Sequence, residues 1–245
     1  MKVAVAGGTG VVGRHVVRRA EARGHHVVVL TRSTGTDLTS GEGLADALVG
    51  VDAVVDVVST RTQNKAAARA FFGTITTNLL AAEAAAGVGH HVVLSIVGID
   101  LVPSGYYAGK LLQEELTTAG TVPWSILRAT QFHEFAEQAL GFATLGPFSV
   151  VPRMTTQPIA AFEVAEALVD LVERGPQSRV PDLAGPEKRE LLELARSVNR
   201  ERRLGRRLVG VRLPGAWGRG IRSGALTPAG DGPRGTLTFE EWLCR

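Results

Sequence analysis

The 245-residue sequence predicts an α/β fold, a doubly wound parallel sheet with a small C-terminal lobe, and three observations support that expectation. Five short runs rich in Val, Ile, Leu and Ala alternate with Ala-rich helical stretches over the first 130 residues. The runs are largely apolar rather than strictly alternating, as in strands covered on both faces. A glycine-rich turn separates the first run from the first helix.

Taken in order, Lys2–Ala6 reads as a buried strand and residues 11–23 as a helix ending at Gly24. Residues 27–31 give a second strand and 52–58 a third, with a short helix at 44–49 between them. Lys65–Ala86 is a long helix closing at Gly87, 91–97 a fourth strand, Tyr106–Ala119 a helix stopped by Gly120, and 123–129 a fifth strand. Right-handed crossovers then place ligands at the carboxyl edge of the strands. Beyond residue 130 the rhythm changes. Residues 131–156 are mixed, Ala161–Arg174 is an amphipathic helix, 179–183 a strand and 187–201 a helix, while 214–235, rich in Gly and Pro, reads as irregular. We expect one domain over 1–245, with 130–160 and 186–245 forming a substrate lobe.

Composition narrows the function. No apolar run reaches the roughly 18–20 residues that cross a bilayer, so no membrane partner is expected. Met1-Lys2 leads straight into a strand and then glycines, without a secretory segment. Cys244 is the single cysteine, which excludes a disulfide framework within the chain and a cysteine-based metal site; no metal is expected, and a cytoplasmic location is. The net charge of +3 and the arginines of segment 196–222 raise nucleic acid as a partner. Aromatics are only 5% and Trp217 alone lies nearby, so the segment reads as a solvated basic face and nucleic acid is not expected. An anionic substrate or a protein partner stays open.

The turn Ala6-Gly7-Gly8-Thr9-Gly10-Val11-Val12-Gly13 carries glycines where a chain must turn tightly, approach a pyrophosphate and pack a helix on a strand. The following helix N-terminus favours phosphate through its free N–H groups and dipole. With a strand on one side and a helix on the other, this predicts a bound dinucleotide. NAD sites usually end the second strand in Asp or Glu, which binds the ribose 2′-hydroxyl. Here the strand ends in Thr31-Arg32-Ser33, and a guanidinium suits a 2′-phosphate, so NADP(H) is favoured over NAD(H).

After the fourth strand come Leu94-Ser95-Ile96 and then Ser104-Gly105-Tyr106-Tyr107-Ala108-Gly109-Lys110. Tyr106 and Lys110, four apart on a helix, share a face. A neighbouring ammonium lowers a phenol's pKa and helps it pass a proton to a developing alkoxide, and Ser95 can donate to the same oxygen. Ser95, Tyr106 and Lys110 are therefore the candidate catalytic residues for hydride transfer to a carbonyl carbon, with Tyr107 expected to pack.

These motifs resemble the short-chain dehydrogenase/reductase superfamily, and most closely its atypical, NmrA-like NAD(P)H-binding branch. The resemblance rests on the glycine turn, Thr76-Thr77-Asn78-Leu79-Leu80-Ala81-Ala82 with Gly87-Val88, Leu94-Ser95, the Tyr-Tyr-x-x-Lys segment, Leu127-Arg128-Ala129-Thr130-Gln131-Phe132, Gln157-Pro158-Ile159, and Leu183-Ala184-Gly185-Pro186. It implies a Rossmann fold in which Gly7, Thr9, Gly10, Val11, Val12 and Gly13 hold the pyrophosphate. It further implies that Arg32 and Ser33 meet the adenosine phosphate, Asp37 and Leu38 the adenine edge, and that Ser59 and Thr60 lie along the cofactor. Lys110 would bind the nicotinamide ribose, and Thr130, Gln131 and Phe132 would line the nicotinamide end. The Asn-Asn-Ala-Gly motif of well-studied members is absent, with Val58-Ser59-Thr60-Arg61 in its place.

His25-His26 and His90-His91 precede strands and read as surface or strand-edge residues. His133, followed by Glu134 and Glu137, is a candidate substrate contact with Gln131, and Phe148 is a candidate wall of an apolar pocket. The function expected is an NADPH-dependent reductase of a carbonyl or quinone-like small molecule. Alternatives are a cofactor-sensing binding protein without catalysis and an isomerase using transient oxidation.

Overall fold

The computed structural model describes all residues 1–245. Its strands and helices are, in chain order, β1 (Lys2–Ala6), α1 (Gly13–Ala22), β2 (His26–Leu30), α2 (Leu44–Ala47), β3 (Ala53–Asp56), α3 (Lys65–Ala86), β4 (His90–Ile96), α4 (Tyr106–Ala119), β5 (Trp124–Ala129), α5 (Glu134–Ala139), β6 (Thr144–Leu145), β7 (Phe148–Pro152), β8 (Thr155–Thr156), α6 (Ala161–Arg174), β9 (Ser178–Arg179), β10 (Arg189–Glu190), α7 (Leu191–Glu201), β11 (Arg207–Val211), α8 (Gly215–Arg222) and α9 (Phe239–Leu243). The chain divides into two compact units. The first comprises residues 1–95, 104–128 and 161–181; the second comprises 96–103, 129–160 and 182–245.

The first unit is built on a six-stranded parallel sheet in the order β2-β1-β3-β4-β5-β9. β1 sits between β2 and β3, with Val3 opposite Val27 on one side and Ala53 on the other. The strand order reverses there, and doubly wound sheets bind their ligands at such a switch point. The apolar strands are buried as their composition requires, and Ala4, Ala6 and Val54 pack with Leu44, Leu48, Phe72 and Leu79. Asn64 caps α3 by accepting the Ala67 N–H at 3.0 Å, and Gly87 ends the helix with a left-handed φ of 71°. Gly109 lets α4 lie close on α3, since a Cβ there would stand 2.6 Å from the Phe72 ring and 2.7 Å from the Ala68 carbonyl. That contact fixes the height of Tyr106 and Lys110 over the sheet.

Arg23, just past α1, gathers three carboxylates of α6: Asp170 and Glu173, each at 2.7 Å, and Glu166. Arg19 also pairs with Glu166. Arg23→Ala would leave these acids facing one another, and partial exposure screens the effect to about 1 kcal/mol. We expect the melting temperature to fall by a few degrees at low salt and by much less in 1 M NaCl; a salt-independent loss would identify packing as the cause.

In the second unit β11, β7 and β6 form a three-stranded sheet, and β8 pairs antiparallel with β10. Here the sequence expectations need correction. Residues 214–235 are not wholly irregular, because Gly215–Arg222 forms α8 despite three glycines. Gly218 is required there: a Cβ would lie 2.0 Å from the Leu213 carbonyl oxygen. The helix expected at 187–201 begins only at Leu191, because Arg189 and Glu190 pair with Thr156 and Thr155. The strand expected at 179–183 is confined to Ser178–Arg179.

Candidate functional site

The glycine turn begins where β1 meets its neighbour β3. Gly7 has φ 81°, and a Cβ on it would lie 2.8 Å from the backbone of Val57, immediately after β3. A Cβ on Gly13 would stand 2.1 Å from the Gly7 carbonyl oxygen, and the Gly10 N–H donates to that oxygen at 3.0 Å. Gly8, to which the sequence assigned no role, presses on β2: its Cβ would meet Val29 at 2.7 Å. Thr9 and Gly10 are exposed, Val11 is half-buried and Val12 buried. No side chain caps α1, so its first N–H groups stand at an exposed glycine turn, the arrangement that accepts a pyrophosphate.

Beside this turn, β2 runs into Thr31, Arg32 and Ser33 in a short 3-10 turn, with Arg32 and Ser33 exposed. No acidic side chain follows β2 before Asp37. Asp37 accepts the Thr39 N–H at 2.8 Å, and Leu38 packs on the core. Asn78 of α3 donates to the carbonyls of Leu38 and Thr39 at 3.0 and 2.9 Å, tying this loop down.

At the carboxyl edge of β3 the Tyr106 hydroxyl and Ser59 Oγ lie 3.1 Å apart. The Tyr106 ring meets Phe72 and Tyr107 edge-on. Thr60 accepts the Thr62 N–H at 3.5 Å, and Gly105, with φ 54°, starts α4 hard against the Gln63 carbonyl, 3.0 Å from where a Cβ would be. The expected Tyr–Lys partnership is not what forms. Lys110 Nζ is buried, donates to Gln113 Oε1 and lies 4.9 Å over the Phe72 ring. Gln113 Nε2 in turn donates to Asp56 Oδ2 at 2.7 Å, and Asp56 Oδ1 accepts the Val58 N–H at 3.0 Å. Burial pushes Lys110 down to about 8, partly offset by Asp56 and Glu114. Burial also raises the Tyr106 phenol, against the opposing hydrogen bond from Ser59, so Lys110 does not lower it as the sequence suggested. Ser95 is buried near the end of β4, and its hydroxyl has no hydrogen-bond partner, Tyr106 included.

Behind this group lie residues to which the sequence assigned no such place. His90 and His91 are buried, not surface residues. His91 Nδ1 lies 2.9 Å from Glu83 Oε1 of α3; burial opposes its protonation, but Glu83 and Asp56 together raise its pKa. His90 Nε2 lies 2.8 Å from Ser125 Oγ, and burial lowers it to about 4. Arg128 of β5 clasps Glu114 of α4 at 2.8 and 2.7 Å. The first unit thus encloses three further polar pairs, His91–Glu83, His90–Ser125 and Arg128–Glu114.

Within the second unit, Thr130 donates to the Gln157 carbonyl at 2.6 Å and accepts the Gly185 N–H at 3.3 Å. Gln131 accepts from Thr156 at 2.7 Å, leaving its buried Nε2 without a partner, and Phe132 bridges to Ile159. One expected substrate contact needs correction. The His133 ring is fully enclosed between Phe239 and Trp242, 5.6 Å from each, with Nε2 3.1 Å from the Leu237 carbonyl oxygen, so it fixes α9 rather than facing a ligand. Phe148 is 37% exposed at the margin of β7, with the Arg207 guanidinium 5.8 Å over its ring.

A family profile described as NAD(P)H-binding matches residues 7–174. The chain belongs to this NAD(P)H-binding family. The match begins at the first glycine of the turn and ends with α6, so it covers most of the first unit. Among curated relatives of this family member, the photosystem II assembly factor Ycf39 of Synechocystis sp. is 28% identical over 197 residues, 71% of this chain but 60% of that protein. Solved structures share the fold. A short-chain dehydrogenase/reductase superfamily protein from Agrobacterium tumefaciens with bound NAD aligns with TM-score 0.69 at 20% identity, covering 99% of this chain and 95% of the other. The UDP-glucose 4-epimerase of Thermus thermophilus, in complex with NAD, aligns with TM-score 0.67 at 19% identity, covering 100% and 92%. The chain thus shares its fold with a protein of the short-chain dehydrogenase/reductase superfamily.

Proposed function

We propose that the chain is an NADPH-dependent oxidoreductase that reduces a carbonyl or quinone-like small molecule. The observation that carries this reading is the Tyr106 hydroxyl, kept protonated by burial and paired with Ser59 in the unit that bears the glycine turn. When bound, the dihydronicotinamide supplies the hydride. Gly7, Thr9, Gly10, Val11, Val12 and Gly13 would hold the pyrophosphate, and Asp37 and Leu38 would border the adenine. Tyr106 donates its proton to the substrate oxygen that gains charge, and exposed Ser59 aims the hydroxyl and relays a proton from water back to the resulting phenolate. Lys110 is held by Gln113 over the Phe72 ring. Ser95 has a free buried hydroxyl for the same oxygen. Exposed Arg32 and Ser33, with no carboxylate before Asp37, favour NADP(H) over NAD(H). A cytoplasmic location fits the single free cysteine, Cys244.

Two measurements test this. Tyr106→Phe should lower turnover of NADPH over a carbonyl and quinone panel by about 100-fold or more, leaving the NADPH Kd within about threefold. Arg32→Ala should weaken NADPH by about 10- to 100-fold and leave NADH unchanged. Full activity in Tyr106→Phe would remove the tyrosine from the chemistry, and tighter NADH than NADPH binding in the wild type would reverse the cofactor preference.

A second reading is a cofactor sensor that performs no reaction and acts on a protein partner. It is favoured by the commitment of Lys110 to Gln113 rather than to Tyr106, and a relative described as an assembly factor fits it. NADPH binding without oxidation on any compound of the panel would favour it.

A further inference from the structure

Exposed large apolar side chains are not scattered over this protein. Of the nine, five stand in the second unit on two adjoining segments: Phe142, Leu145 and Phe148 on the β6–β7 hairpin, and Leu204 and Val209 at and before β11. Residues 141–148 are exposed without interruption, and the hairpin turns at Gly146-Pro147 with Leu145 77% exposed. The sheet beneath has two unlike faces. Ser149, Val151 and Gly210 point toward α7, where a Cβ on Gly210 would meet Leu192 at 2.4 Å. By alternation and register, Leu145, Phe148, Arg207 and Val209 share the opposite face, where Leu145 is 77%, Val209 44% and Phe148 37% exposed.

The same segment is the most basic in the chain. Residues 196–212 hold seven arginines against the single carboxylate of Glu201, a net of +6 in a protein whose total is +3. All seven are exposed, and one ion pair, Arg202 with Glu137 at 3.7 Å, engages them. Arg207 reaches the apolar face itself, stacked on Phe148, and its N–H donates to the Pro147 carbonyl at 2.9 Å. Charge and apolar surface therefore adjoin at one tip.

We propose that this hairpin and the arginines beside it form a docking surface for an anionic lipid bilayer, on which the protein lies without spanning it. Three features favour that occupant. A second copy meeting face to face would bring two +6 segments together without opposing acids. Nucleic acid is met by basic grooves and stacking platforms, whereas these apolar side chains project from a turn. A projecting apolar tip flanked by arginines matches a surface that is negative at the headgroups and apolar a few ångströms below. The absence of a membrane-crossing helix is compatible, since lying on a bilayer needs none. The proposal is independent of the redox reading.

Flotation of the full chain with vesicles of phosphatidylcholine alone, or with about a third phosphatidylglycerol, tests it. Binding should require the anionic lipid and weaken as salt rises. Leu145→Asp with Phe148→Asp should weaken it tenfold or more, as should Arg203→Ser with Arg206→Ser, while NADPH binding, which reports the fold, stays unchanged. Binding to anionic vesicles unaffected by the aspartates would reduce the effect to charge alone and overturn the proposal. So would no binding, equal affinity for duplex DNA, or a dimer in light scattering that Leu145→Asp dissociates.

Discussion

Replacing Gly13 by alanine is expected to abolish measurable binding of both NADPH and NADH and to lower the melting temperature. The added Cβ would lie 2.1 Å from the Gly7 carbonyl oxygen and 2.7 Å from Gly8 Cα. Both are backbone atoms, so no rotamer change relieves the clash. Gly7 cannot yield, because its φ of 81° and its approach to Val57 already fix it against β3. The turn must therefore open, at a cost of about 1–3 kcal/mol. That same movement displaces the N–H groups aimed at a pyrophosphate, and the binding loss should far exceed the stability loss. Gly24→Ala separates the two effects. Gly24 also has positive φ, 80°, but nothing lies within 4 Å of its Cβ position, so only backbone strain of about 1–2 kcal/mol is added. It should melt lower while binding NADPH normally. If Gly13→Ala titrates NADPH fluorescence within threefold of wild type, the phosphate assignment fails.

The contrast between these glycines shows which features can be read from a chain without its fold. The turn between β1 and α1 was legible because part of its constraint is local: Gly10 and Gly13 answer to Gly7 a few residues away, although Gly7 and Gly8 also press on Val57 and Val29. The five apolar strands were legible because a sheet covered on both faces demands apolar residues at every position. The polar interior was not. His90 and His91 look like edge residues until Glu83 and Ser125, on α3 and β5, come to meet them. Asp56 ends an apolar strand, a signal that could have been followed, but its partner Gln113 is 57 residues away. Lys110 was found by its spacing from Tyr106. That spacing says only that the two share a face, not that their polar ends meet. In the second unit glycines and arginines hid α8 and β11, because packing against Leu213 and β7 overrides their low propensity.

The buried Lys110 should make the protein more stable in mild alkali. In the unfolded chain its amine has an ordinary value of 10.5; folding moves it to about 8. Below about pH 8 both states hold the proton, and the folded state bears the full cost of burying the charge, about 3 kcal/mol from that difference. Between about pH 8 and 10.5 the unfolded chain keeps a proton that the folded chain has released, so stability rises with pH. His91 acts in the opposite sense: its raised value gives stability below about pH 6.5 that is lost as pH climbs through its folded value. The Lys110 contribution is therefore read as the difference between wild type and Lys110→Met in urea midpoints from pH 7 to 10. The rise should vanish in the variant, which should match or exceed wild type at pH 7. Asp56→Asn should move the rise to lower pH, because the Asp56 charge is what holds the amine up. A rise that persists in Lys110→Met would assign it to other groups. Should the variant gain stability at pH 7 while losing turnover, the lysine is kept at a cost to folding, as expected of a group that serves the reaction rather than the fold.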